Sequence, residues 1–203
     1  MVMPISDADK ERIAEAIAAA ERRTAGEIVC VLARRSSDYA YVPPLLAALI
    51  ALIAPWPLVF FTELGVRLIL AIQILVFIGA ALLFSLPPLR LALTPRFVKR
   101  ERAHRAAIEQ FFTRGVSATR DRTGVLIFVS LGERYARIVA DEGIAAKIPQ
   151  EDWRAALDLL LARVREGRVA DGFVDAIGEC ARLLSKHVPP GGHEELPDRI
   201  YVI

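Results

Sequence analysis

Charge is missing from two long stretches of this chain. Between Val42 and Phe61 no side chain is charged, and from Leu68 to Leu86 the polar residues are only Gln73 and Ser85. Cysteine is scarce as well: the two, Cys30 and Cys180, lie far apart without the CxxC spacing of a redox or metal site, and read as buried thiols in a reducing compartment. The three histidines, His104, His187 and His193, share no ligand spacing, which argues against a zinc centre. There is no GxSxG elbow, no Walker loop and no Cys-His pairing, and Gly191-Gly192 sits in a Pro-rich stretch with no helix after it. Nucleophilic catalysis has no visible apparatus, so a non-enzymatic role is expected. An apolar leader is lacking too, because Met1 to Ala20 carries Asp7, Asp9, Lys10, Glu11, Arg12 and Glu15. The N-terminal residues are therefore expected to stay in the cytoplasm.

What is present is apolar surface, concentrated in one place. Each uncharged stretch approaches the roughly 20 residues that span a bilayer core. At about −0.3 to −0.6 kcal/mol per central Leu, Ile, Val or Phe, each favours insertion by several kcal/mol. Thr62-Glu63-Leu64-Gly65 is the only polar break between them, a connection short enough to force two antiparallel neighbours. The expectation is a transmembrane hairpin over 39–88, with Pro55-Trp56-Pro57 kinking or ending its first helix. Arg34 and Arg35 precede it, Arg90, Arg96, Lys99 and Arg100 follow it, and Arg67 alone lies near the turn. By the positive-inside rule the soluble parts and both termini face the cytoplasm. The spans contain no acid or base apart from Glu63 and Arg67 at the turn, so an anchor is expected rather than an ion pathway.

The remaining residues have the mixed composition of a soluble domain of about 150 residues. Net charge is +2, so the total points to no partner. The basic run from Arg90 to Arg122 has few interleaved aromatics, which makes it a headgroup contact or topology signal rather than a nucleic-acid surface. Ser6 reads as the N-cap of a helix over 7–23, and Glu27 to Ala33 as a strand buried on both faces. After the hairpin come an amphipathic helix over 95–115, a strand over 124–131, a half-exposed strand over 135–140, and helices over 150–166 and 169–187. The first two strands should lie side by side. This is an α/β domain split by the hairpin into 1–38 and 89–187, followed by a tail over 188–203.

Thr24-Ala25-Gly26-Glu27-Ile28-Val29 after an N-terminal helix, then Thr123 to Leu131, Arg134, Ile138 and Gly143-Ile144, resemble the TPM domain family, which includes thylakoid photosystem repair proteins and bacterial membrane proteins. The ending Glu195-Leu196-Pro197-Asp198-Arg199-Ile200 resembles bacterial members with an internal hairpin. The resemblance implies an α/β sandwich interrupted by a two-helix transmembrane hairpin. It also implies links to membrane-protein quality control, weak phosphatase activity and calcium binding. Asp121-Arg122-Thr123-Gly124 stands where an Asn-Asn-Gly turn is usual in that family, and Ala140-Asp141-Glu142-Gly143 where Gly-x-Gly is usual. With an arginine-rich, lysine-poor composition, it points to a bacterial inner membrane.

Candidate site residues follow from strand ends. Asp121, Asp141 and Glu142 could offer oxygens to a hard cation such as calcium, or form a solvated acidic turn. Arg134 could hold a phosphate, or pair with Asp141 or Glu142. Ile200-Tyr201-Val202-Ile203 is a β-prone terminus suited to packing on the domain, to an edge strand, or to capturing a partner by β-augmentation. Two functions emerge: an interaction module in the bilayer serving a membrane-protein partner or its own oligomer, and a metal-dependent phosphatase-like hydrolase. No resident cofactor is expected for the first.

Overall fold

A computed structural model of the chain describes residues 5–191 and 196–203. His193, Glu195, Gly192 and the first four residues, which figure in the expectations above, lie outside the described residues. The chain divides into two compact units: Met1–Ser36 with Arg100–Ile203, and Ser37–Lys99.

In the first unit, Ser6 caps α1 (Asp7–Glu21), with its hydroxyl accepting from the Asp9 N–H at 3.1 Å while the Asp9 carboxylate reaches back to the Ser6 N–H at 3.2 Å. This reciprocal pair satisfies two donors that a helix start otherwise leaves open. Then β1 (Glu27–Ala33) enters the sheet with every residue buried, as its unbroken apolar run requires. After the second unit the chain returns along α6 (Arg96–Thr113), of which residues from Arg100 onward belong to the first unit. It continues into β2 (Gly124–Ser130), β3 (Tyr135–Ala140), the short α7 (Glu142–Ala145), α8 (Arg154–Arg165), α9 (Val169–His187) and β4 (Ile200–Val202).

The sheet order is β3-β2-β1-β4. Neighbours β1 and β2 run parallel from Glu27 opposite Gly124 to Ala33 opposite Ser130, β4 is parallel to β1, and β3 is antiparallel to β2. Side chains alternate between two cores. Ile28, Cys30, Leu32, Val125, Ile127 and Val129 face one cluster with α1, α8 and α9. On the other face, Val29, Val31, Leu126 and Phe128 meet Ala107 and Phe111 of α6. Period-2 alternation with both faces covered explains why neither strand shows a polar side in the sequence. The tail therefore forms an edge strand of the domain's own sheet, where Tyr201 lies under the Arg114 guanidinium at 4.0 Å.

The second unit is almost entirely helical. It contains α2 (Val42–Ile53), α3 (Pro55–Phe61), α4 (Val66–Phe84) and α5 (Pro87–Leu93). The break expected at Pro55-Trp56-Pro57 divides α2 from α3 at Ala54, whose backbone stays helical (φ −54, ψ −36), so the proline pair interrupts the ladder without ending the helical path. Val42–Phe61 and Val66–Phe84 are long and apolar enough to cross a membrane. The short helices α5 and α7 carry too few turns for a periodic signal in sequence.

Candidate functional site

Because β1, β2 and β4 run the same way, their carboxyl ends share one rim of the sheet, at Ala33, Ser130 and Val202. Ser36, the last residue before the second unit, is fixed there. Its backbone N–H lies 3.1 Å from both Glu133 oxygens, its hydroxyl lies 2.9 Å from the Ser130 hydroxyl, and Ser130 in turn donates to Glu133. Glu133 and Ser130 are both buried. The carboxylate gathers donors that would otherwise be stranded, so this cluster holds the chain exit in place. A serine beside a carboxylate lacks the stronger base that nucleophilic attack requires.

Arg134 follows with φ 51, in the left-handed region that costs a non-glycine residue of order 1–3 kcal/mol. It lines a cavity of about 760 Å³ together with Arg165 at the end of α8, and with Val129, Leu131, Val164 and Val169. The pairing of Arg134 with Asp141 or Glu142 does not occur. Six residues of β3 separate them, and at about 3.3 Å per residue that is roughly 20 Å. Arg165, 25 positions after the end of β3 and distinguishable from a solvated arginine by neither spacing nor charge pattern, is invisible to sequence reasoning. Gly167 (φ 79), which stops α8 and turns the chain into α9, is the one local signal at that corner.

The opposite rim holds the three acids. Asp141 caps α7, its Oδ1 accepting from the Glu142 N–H at 2.7 Å, with the Arg122 guanidinium 3.6 Å away. Its Oδ2 is buried without a hydrogen-bond partner. Asp121 approaches through its backbone: a Cβ on Gly143 would meet the carbonyl oxygens of Asp121 and Arg122 at 2.6 and 2.7 Å. Among the described residues no three His, Cys, Asp or Glu side chains converge as a metal site would need. Burial pushes both cysteine thiols up, Cys30 further through the nearby Cys180 and Glu21, so both stay protonated and poorly nucleophilic.

A further acidic contact escapes sequence reasoning because it joins three distant positions. Glu21 accepts from the Ile28 N–H at 2.8 Å, and Glu27 from the Leu196 N–H at 3.2 Å. Burial, then the hydrogen bond to Asp198 and the charges of Glu27 and Asp198, push the Glu21 carboxyl up to about 9, against the Ile28 N–H. Folded, Glu21 holds a proton that the unfolded chain loses above its ordinary value of 4.5. The stability it confers is complete below pH 4.5 and declines as pH rises toward about 9. Glu21→Gln keeps the acceptor and removes this loss. It should stabilise the protein by about 1–2 kcal/mol at pH 8, allowing for partial solvent screening, and by almost nothing at pH 4.5. Thermal melts of both proteins at the two pH values test this; equal melting differences at both would contradict it.

A four-stranded, mainly parallel sheet with helices on both faces and a basic, apolar-walled cavity at its carboxyl rim defines a small α/β sandwich domain. Residues 88–183, just under half of the chain, match the family model of the TPM domain. The match starts after the apolar helices, so α1 and β1 lie outside it although β1 is central to the sheet. The NMR structure of BA42 protein from the psychrophilic bacterium Bizionia argentinensis is similar in fold. Its TM-score is 0.62 at 18% identity, over 99% of this chain and 97% of that one. No curated protein matches the chain.

Proposed function

We propose that this chain is a membrane-anchored TPM module that presents its α/β unit on the cytoplasmic side of a bacterial inner membrane to another membrane protein or assembly factor. The observation that carries the anchoring is exposed apolar surface around two long helices. Phe60 is 72% exposed, Phe61 86%, Leu75 70% and Leu82 69%. A core helix of a water-soluble protein would be mostly buried, whereas only 11% and 6% of these two apolar windows are. Soluble monomers rarely leave contiguous apolar patches beyond a few hundred Å² open to water. The arginines at both ends of the apolar segment, with Arg67 alone near its turn, support the cytoplasmic placement of the α/β unit.

The partner-binding part of this reading is supported by the two terminal strands of the sheet, β3 and β4, each unpaired with a further strand among the described residues, since a sheet edge is where a partner strand can add. Alkaline carbonate extraction of membranes from cells producing the full chain tests the anchor. The chain should remain in the pellet, as a protein held by two spans does. Recovery in the supernatant would reject anchoring, and with it the placement of both units.

A further inference from the structure

We infer that the cavity at the carboxyl rim of the sheet binds the phosphate of an anionic phospholipid headgroup, with Arg134 and Arg165 as its charged contacts. The lipid source of the phosphate rests on the anchoring proposed above; the anion site itself does not.

The electrostatics come first. Among the described residues lining the cavity none is acidic, and two are arginines. Three acids close in sequence to Arg165 are engaged elsewhere, Glu166 by Arg163 and Arg168, Asp175 by Arg163, and Asp171 by Arg12, and Asp158, two turns back on α8, is not among the lining residues. Arg165 is exposed at the mouth, and Arg34 and Arg35, also exposed, follow the carboxyl end of β1 on the same rim. Glu133, the acid held at this rim, is buried and taken up by Ser36 and Ser130, so the clustered positive charge beside low-dielectric walls concentrates anions. Arginine is suited to phosphate because its planar fork donates two parallel hydrogen bonds.

The backbone adds to the same charge. Gly167 and Val169 line the cavity where the 19-residue α9 begins, and no side chain caps that helix. Its first N–H groups and the positive end of its dipole therefore lie at the cavity wall. Apart from Ser130 and Tyr135 the rest of the lining is apolar, and a volume of about 760 Å³ is far more than a bare phosphate fills. A phosphate joined to a glycerol and the start of its acyl chains matches both the charge and the apolar walls.

Position identifies the source. Ser130 lines the cavity and also bonds Ser36, where the chain leaves the α/β unit. Residues 37–41 alone connect Ser36 to the start of α2, a tether that reaches at most about 20 Å. Headgroups around inserted helices are thus within reach of the cavity.

The test uses the full chain purified in a neutral detergent, with native mass spectrometry to count retained lipid. Phosphatidylglycerol should be retained over phosphatidylcholine by about tenfold, on the order expected for two arginines near an anionic headgroup. Arg134→Gln/Arg165→Gln should abolish that preference, and Arg165→Gln alone, on the exposed side of α8, should reduce it without affecting folding. Arg22→Gln/Arg23→Gln, exposed at the end of α1 and outside the cavity, should leave it intact. An unchanged preference in the double variant would overturn the site. If glycerol 3-phosphate, titrated by calorimetry, binds as tightly as the lipid and depends on the same two arginines, the lipid source is overturned and a free phosphate ester takes its place. Should carbonate extraction release the chain while the arginine-dependent phosphate binding persists, the anchoring fails and the anion site stands.

Discussion

Phe173→Ala is expected to cost about 3–5 kcal/mol of stability, the range for emptying a buried phenylalanine site. Phe173 is fully buried on the apolar stripe of α9, which also carries Val169, Ala176, Ile177, Cys180 and Leu184 at helical spacing. This stripe covers the face of the sheet formed by Ile28, Cys30, Val125 and Ile127 and meets α1 and α8 on its flanks. Those neighbours belong to three elements and to both central strands, so they cannot all collapse into the space left behind. Native domains hold only about 5–15 kcal/mol in total, which would leave the variant marginal. Phe60→Ala is the comparison, because Phe60 is 72% exposed and has little packing to lose within the protein. Denaturant unfolding in detergent, read by the signal of the α/β unit, measures both. A cost below about 1 kcal/mol for Phe173→Ala would contradict the packing of α9 on the sheet.

The stripe on α9, the Ser6 cap and the two buried strands are legible in sequence because each is a local pattern. Apolar residues recur at the period of the element, and a capping side chain lies three residues from the donor it serves. The apolar helices are legible for the same reason, since length and an absence of charge are properties of one segment. The matching length and apolarity of the two strands then imply that β1 and β2 are neighbours, and the structure pairs them in parallel from Glu27–Gly124 to Ala33–Ser130.

The rims of the sheet are different, because what meets there is decided by strand direction. Arg134 and Asp141 bracket one strand in the sequence and look like partners. The antiparallel run of β3 carries them to opposite rims, one beside the cavity and the other beside α7. Glu21, Glu27 and Asp198 are the converse case. Nothing in their spacing joins them, but docking of β4 against β1 brings the end of the chain back to the start of the first strand. Arg165 becomes distinctive only once the acids around it are seen to have other partners.

Gly124→Ala should cost about 3 kcal/mol or more, at the upper end for overpacking a well-ordered site. A Cβ at residue 124 would lie 2.2 Å from the carbonyl oxygen of Val116 and 2.6 Å from its Cγ1. Val116 is itself fully buried, in a single 3₁₀ turn (Val116–Ala118) that follows α6, so it has no room to retreat. Gly124 cannot retreat either: it opens β2, its carbonyl accepts from the Asp141 N–H at 2.9 Å, and it faces Glu27 in the parallel ladder. Relief would require either the turn or the sheet register to shift, and a shift of β2 disturbs both cores at once. The glycine in Thr123-Gly124 is thus required by a close backbone crossing, whereas Gly178 is not constrained in this way. Gly178 is exposed in the middle of α9, with open space where its Cβ would go. Gly178→Ala should therefore stabilise the protein by about 0.5–1 kcal/mol, the usual gain from removing an interior helix glycine. Opposite signs for the two alanine substitutions in the same unfolding assay are the expected result. A neutral Gly124→Ala would mean that the turn at Val116 does not cross β2 at the separation described.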